Sequence, residues 1–293
     1  MSLGSTWRDV LRRCPCRPDW MRRPGKLLFA AILALAACLA AGGLWASDEP
    51  NLTEEQIKQF LLNAKVINSR QSKVGITNPW WLTLTDGKIT HDALFKTIDE
   101  HKTQQQFSTG RTEMNFRDSY HFDIAGYELG KLLGLNDAIP VYVERKWGGK
   151  TGSLCWGIPL KWHESDRLKQ KLQPPDPDAW NKQMYRLRVF TELIYDTDPN
   201  LTNFLITEDW KLWRIDFTRA FRLFDDLPNP KNLTKCDRQL LEKLKQLNEA
   251  EVERVTKPHL TRAEVKAVMA RRDKIVAQFQ KLIAEKGESE VLY

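Results

Sequence analysis

Tyr195-Asp196-Thr197-Asp198-Pro199-Asn200-Leu201-Thr202-Asn203-Phe204-Leu205-Ile206, then Trp213-Arg214-Ile215-Asp216-Phe217, is the stretch on which the reading of this 293-residue chain turns. Asn203 to Ile206 reads as a short strand, Glu208-Asp209 as its turn, and Lys211 to Ile215 as the returning strand. Asp198 and Asn203 stand five apart at the mouth of this hairpin, and Asp216 follows thirteen residues after Asn203. Phosphoryl transfer needs these group types close together. One carboxylate accepts or orients a hydroxyl, while a carboxylate and an amide oxygen hold Mg²⁺ against phosphates. Any one of these acids alone is as readily a turn or helix cap. Their order, their spacing and their place on strand–turn–strand make the set specific.

Working outward, Thr53-Glu54-Glu55-Gln56 is a capping-box pattern that opens a helix with Ile57, Phe60, Leu61 and Leu62 on one stripe. Lys65 to Pro79 reads as mixed and turn-rich. Trp80 to Thr85 and Lys88 to Ile98 read as strands joined by an Asp86-Gly87 hairpin turn. Ser119 to Leu135 has helical apolar spacing, and Ile139 to Trp147 and Thr151 to Ile158 are strands about Gly148-Gly149. Beyond the breaker Gln173 to Asp178, Ala179 to Tyr195 is a long helix. From Leu240 helices dominate, with a second capping box at Thr261 to Glu264 opening a helix through about Ala284. The plan is α+β and two-lobed: a small antiparallel sheet with one helix over residues 47–158, then a larger helical lobe over 159–293.

With these residues in place, the chain resembles the atypical branch of the protein-kinase-like fold, which includes the phosphoinositide lipid kinases, the HipA-type toxin kinases and the secretory-pathway kinases. Asp198 to Asn203 is similar to the Asp-Arg-His-x-x-Asn loop of the lipid kinases, and Ile215 to Thr218 to their Ile-Asp-Phe-Gly. Phe122 to Leu129, with Leu132 to Leu135 and Ile139-Pro140, looks like the helix that follows the ATP-binding lysine in that branch. The likeness runs from about residue 65 to the end, through Leu260-Thr261 and Arg271-Arg272-Asp273. It implies Asp198 as the catalytic acid, Asn203 and Asp216 as Mg²⁺ ligands, and Lys96 on the nucleotide phosphates, with Asp123 or Glu128 as the lysine's partner. It implies Mg²⁺ and ATP as cofactors, with the strand Thr151 to Ile158 against the adenine, and a hydroxyl acceptor in a protein, lipid or small molecule.

Three departures from the pattern stand out. Pro199 occupies a position usually basic, and Thr218 replaces the glycine of the metal loop. No glycine-rich phosphate loop is present; Gly75 is the only glycine between Gly43 and Gly87, so backbone N–H groups of Ser72 to Gly75 are the candidate cradle. The alternative to an active phosphotransferase is a pseudokinase-like binding or scaffold protein. A hydrolase with paired acids lacks an opposing carboxylate, since Asp196 and Asp198 share one loop. Ser-His-Asp catalysis lacks G-x-S-x-G, and His91, His101, His121, His163 and His259 have no metal-ligand spacing in sequence.

The net charge of +7 is concentrated in residues 1–26, which carry seven basic and two acidic side chains. The remaining 38 basic and 36 acidic residues nearly balance, which removes the main support for a nucleic-acid function. Leu27 to Ala46 is twenty residues without a charge, enough to span a bilayer, with basic residues on its N-terminal flank. The same layout describes a secretory signal, and Leu35-Ala36-Ala37-Cys38 resembles a bacterial lipobox. Each option places the body outside the cytoplasm, at the periplasmic face, as an exported bacterial member of that branch. Nucleotide is scarce there, so an active enzyme needs a separate supply. Cys155 and Cys236 are either a pair in an oxidising compartment or two buried thiols. Most of the eleven tryptophans are expected in the core.

Overall fold

Thr53 caps the first helix, α1 (Glu54–Asn63), through both arms of its box: Gln56 N donates to Thr53 Oγ1 and Thr53 N donates to Gln56 Oε1. Phe60 and Leu61 turn inward from it. The computed structural model describes residues 52–72, 79–107, 110 and 112–293. Residues 52–293 fall in one compact unit. The candidate span 27–46, Cys38 and Gly75 lie outside the described residues. Among the described residues no helix is long and apolar enough to cross a membrane.

A five-stranded antiparallel sheet follows, with β1 (Lys65–Gln71), β2 (Trp80–Thr85), β3 (Thr90–Lys96), β6 (Tyr142–Trp147) and β7 (Lys150–Trp156) in the order β1-β2-β3-β7-β6. The β2–β3 turn forms as its Asp-Gly predicts. Asp86 Oδ1 accepts from Lys88 N and Ile89 N, and Gly87 takes a φ of 89°. Leu82, Leu84, Ala93, Phe95 and Leu154 bury one face of this sheet. Against that face packs α2 (Tyr120–Leu132), whose N-cap Ser119 accepts from His121 N.

Between β3 and α2 the chain makes a two-stranded hairpin, β4 (Asp99–Gln106) and β5 (Thr112–Ser119). Neither it nor β1 is foreseen in the sequence. β1 and β4 are polar and largely exposed, and β5 buries Glu113, Phe116 and Ser119 at every third residue, so none carries the period-two apolar signal of a half-buried strand. β2 forms with the expected bounds, β3 and β6 are shorter than expected, β7 begins one residue earlier and ends two earlier, and the short strand Trp162–His163 is also unforeseen.

The second lobe holds a three-stranded sheet of order β10-β9-β8, made of β8 (Trp162–His163), β9 (Phe204–Ile206) and β10 (Leu212–Arg214). α3 (Glu164–Lys169) and α4 (Pro177–Ile194) pack on it, and α5 (Arg238–Gln246), α6 (Glu249–Thr256), α7 (Arg262–Lys286) and α8 (Glu288–Val291) complete the helical part. Asp176 caps α4 with Pro177 at its first turn, and Tyr195 ends it in the left-handed region. One apolar cluster runs from Leu82 and Phe95 through α2 to Phe217, Val268 and Phe279. A smaller one gathers Trp180, Leu187, Phe204 and Ile206, with Trp162 and Trp210 against it. Among the described tryptophans Trp180 is buried, and Trp80, Trp147, Trp156, Trp162 and Trp210 pack partly buried against these clusters; Trp7, Trp20 and Trp45 lie outside the described residues. Cys155 and Cys236 are both buried and free, which settles them as thiols rather than a pair. Burial pushes both up to about 12.

Candidate active site

Lys96 is the last residue of β3, buried where the strand meets Ser153 of β7. A Cβ on the neighbouring Gly152 would lie 2.0 Å from the Lys96 carbonyl oxygen, so only glycine allows this approach. Lys96 Nζ lies 2.7 Å from Asp216 Oδ1 and 3.7 Å from Asp123 Oδ2. Burial works against the charge on Lys96, but the carboxylates of Asp123 and Asp216 override it and raise its affinity for a proton.

Asp123 lies in the first turn of α2 and is fully buried. Its Oδ1 accepts from Phe217 N at 2.8 Å and its Oδ2 from Ser153 Oγ at 3.0 Å. Burial dominates at this carboxyl and pushes it up to about 6. Gly126, one turn on, lets Phe217 press against α2; a Cβ there would meet the ring at 2.7 Å. Glu128, the other partner considered for Lys96, does not reach it. Five residues along a helix is a rotation of about 140° from Asp123. Glu128 instead pairs with Lys58 at 3.0 Å and lies 3.9 Å from Lys131.

Asp216 follows β10 with a φ of 65°, a conformation that Asp tolerates better than most residues and that marks functional turns. Burial raises its carboxyl, yet Lys96 and then Arg214 and Thr218 outweigh that and hold it below the ordinary range. The Thr218 hydroxyl donates to Asp216 Oδ1 at 3.0 Å. The residue that replaces the usual glycine thus orients the carboxylate.

Asn203 is tied to the Asp216 segment through the backbone, and Asp198 to the neighbouring Asp196. Asn203 ends the short turn Leu201–Asn203, and its carbonyl accepts from Ile215 N at 3.0 Å, beside Asp216. Asp198 N donates to Asp196 Oδ1 at 2.9 Å, which leaves the Asp198 carboxylate half-exposed. Arg219 Nη1 lies 3.2 Å from Asp198 Oδ2, so the charge missing at Pro199 is supplied from further along the chain. Arg219 in turn rests on the Phe107 and Phe116 rings and pairs with Glu113 of β5 at 3.4 Å; Arg222 pairs with the same Glu113 at 2.7 Å. The unforeseen hairpin therefore holds the segment that follows Asp216.

Three further residues, Arg214, Tyr142 and Asp118, shape the site without having been singled out in the sequence. Arg214 and Asp196 form an ion pair in which both side chains are buried. Arg214 also donates to the carbonyls of Ile215 and, at 3.4 Å, Asn203. Strand alternation is the signal that could have found it: Arg214 shares a face with the buried Leu212, and a buried arginine needs an acid. Tyr142 accepts from Asp216 N through its hydroxyl at 3.3 Å. Asp118 is mostly buried near Thr218 and Asp216, and burial raises its carboxyl. It lies on a polar strand, where nothing in sequence separates it from a solvated acid.

No family model matches the chain, and no curated protein matches it. Solved structures do. The chain is similar to hydra Fam20 in a structure with sugar, at 14% identity and a TM-score of 0.56, covering 84% of this chain and 93% of that one. It is similar to the Golgi casein kinase with Mn/ADP bound, at 14% identity and 0.57, covering 82% and 79%. It is also similar to the Helicobacter pylori proinflammatory kinase CtkA, at 9% identity and 0.52, covering 77% and 98%. The fold is the atypical kinase-like fold.

Proposed function

We propose that the chain is a phosphotransferase that uses a divalent-metal nucleotide to phosphorylate a hydroxyl. The observation that carries this reading is Lys96 Nζ, buried between Asp216 at 2.7 Å and Asp123 at 3.7 Å, so that two carboxylates share one ammonium. Asp118 Oδ1 is buried without a hydrogen-bond partner. Such groups suit ligands from outside the chain: an ammonium for phosphate oxygens, and oxygen donors for a hard cation. Asp216 and Asn203 are the residues that would hold Mg²⁺, with Asp118 beside them. The bound metal supplies charge neutralisation at the phosphates. Lys96 binds and orients phosphate, and Asp123 keeps the lysine protonated and anchors the Phe217 backbone. Asp198 takes the proton of the acceptor hydroxyl, with Arg219 holding its carboxylate in place. The likeness to a kinase with Mn/ADP bound supports a metal and a nucleotide in this role.

Purified full-length protein is expected to gain thermal stability from ATP only when Mg²⁺ is present, by about 2.7 kcal/mol at a hundredfold excess over the dissociation constant. Lys96→Met is expected to lose that increment, whatever its own unliganded stability. An equal increment in the variant would remove Lys96 from the site. Nucleotide binding without phosphate transfer to any hydroxyl substrate would favour the scaffold reading. We further propose that residues 27–46 tether the protein to a membrane, with the catalytic body on the non-cytoplasmic side. Deleting them should move the chain from the membrane pellet to the soluble fraction after alkaline extraction, and no change in partition would refute the tether.

A further inference from the structure

His121, Glu144 and His259 are far apart in sequence, and the fold brings them together away from the residues assigned above. His121 lies in the first turn of α2, Glu144 on β6, and His259 in the connection between α6 and α7. His121 Nδ1 and His259 Nδ1 face each other at 2.9 Å, and His121 Nδ1 is 4.0 Å from Glu144 Oε2. All three ligand atoms lie within 4.8 Å of one another. We infer that these three side chains form a binding site for a borderline transition-metal ion of the zinc type.

The donor set argues for the metal class. Two imidazole nitrogens and one carboxylate oxygen suit Zn²⁺, whereas Mg²⁺ and Ca²⁺ prefer oxygen alone. Ligand atoms around a tetrahedral Zn²⁺ with bonds of ~2.0–2.1 Å sit ~3.3–3.5 Å apart, so side-chain shifts of under an ångström complete the arrangement. Burial and the neighbouring His121 keep His259 below its ordinary pKa, and a neutral imidazole is the form that ligates. The Tyr120 hydroxyl donates to Glu144 Oε2 at 3.2 Å, the kind of outer contact that orients a ligating carboxylate. A fourth position remains for water or for a group from outside the chain. Without a metal, the two imidazoles can share only a single N–H between their facing nitrogens. An ion there would staple the start of α2 to the sheet and to the helical lobe, two residues from Asp123. The inference stands independently of the phosphotransferase reading.

The test uses full-length protein carrying Cys14→Ser and Cys16→Ser, which removes the thiols of the N-terminal tail, stripped with a chelator. Zn²⁺ is expected to bind with one-to-one stoichiometry and to raise the melting temperature, and Co²⁺ to give the intense visible bands of a tetrahedral nitrogen–oxygen site. His259→Ala and the half-exposed Glu144→Gln should each weaken binding at least about tenfold, while Asp216→Asn leaves it unchanged. Glu144→Gln is the informative variant if His259→Ala fails to fold. No binding up to about 100 µM Zn²⁺, or affinity unmoved by Glu144→Gln, overturns the site. Affinity lost in Asp216→Asn overturns it too, by assigning the ion to the nucleotide centre.

Discussion

Asp216→Asn is expected to fold and to lose phosphoryl transfer by about two to three orders of magnitude, the scale on which a preorganised electrostatic group contributes to a transition state. Asparagine is the right replacement because it tolerates the left-handed backbone at this position, where φ is 65°. Alanine would add strain to the loss of charge and confuse the two. What the amide removes is the negative charge that Lys96 and Thr218 are built around. Lys96 would then be left with Asp123 alone, at 3.7 Å, and the metal would lose its anionic ligand. The Mg²⁺-dependent part of the nucleotide thermal shift should disappear with the activity. A variant that keeps wild-type turnover and Mg²⁺ dependence would show that Asp216 is an internal counter-ion to Lys96 and nothing more.

Arg214→Met is expected to cost about 3–5 kcal/mol of stability in urea unfolding, because it leaves the buried Asp196 carboxylate without its counter-charge. That is a large share of the ~5–15 kcal/mol available to an ordinary domain. The guanidinium is enclosed by the rings of Phe204 and Phe217, at 4.8 and 5.5 Å, so no water replaces it. Burial already raises the Asp196 carboxyl, and Arg214 is the strongest influence against this, ahead of the Asp198 backbone N–H. The double variant Arg214→Met/Asp196→Leu should lose less than the sum of the singles, since it removes both charges together. The consequence extends to chemistry: Asp196 Oδ1 holds Asp198 N, and Arg214 holds the carbonyls of Asn203 and Ile215. A loss below about 1 kcal/mol would place the pair among weak surface bridges and contradict its burial.

Several parts of the fold around the candidate site were legible in the sequence because they are local. The Asp198, Asn203 and Asp216 spacing is a property of one hairpin, and β9 and β10 form where its apolar residues predict. The two capping boxes at Thr53 and Thr261 are present, each with both reciprocal bonds. The choice between Asp123 and Glu128 was not legible. Both lie on α2, and only the packing of that helix on β7 turns one carboxylate toward Lys96 and leaves the other to Lys58 and Lys131. Asp118, Glu113 and the hairpin that carries them gave no signal, since β4 is polar and exposed and β5 buries Glu113, Phe116 and Ser119 at every third residue, without apolar alternation. The histidines showed no metal spacing because their grouping joins His121 to a residue 138 positions away.

Taken alone, the chain's order of residues determined its four principal helices, two of its hairpins and the acids at the hairpin mouth, because caps, turns and apolar periods act over a few residues. Only the tertiary structure decided that Lys96 meets Asp123, that Arg214 neutralises Asp196, that Arg219 serves Asp198 and that two imidazoles face Glu144. Those contacts join elements far apart along the chain, and the free energy that selects them comes from burial, which no local pattern encodes.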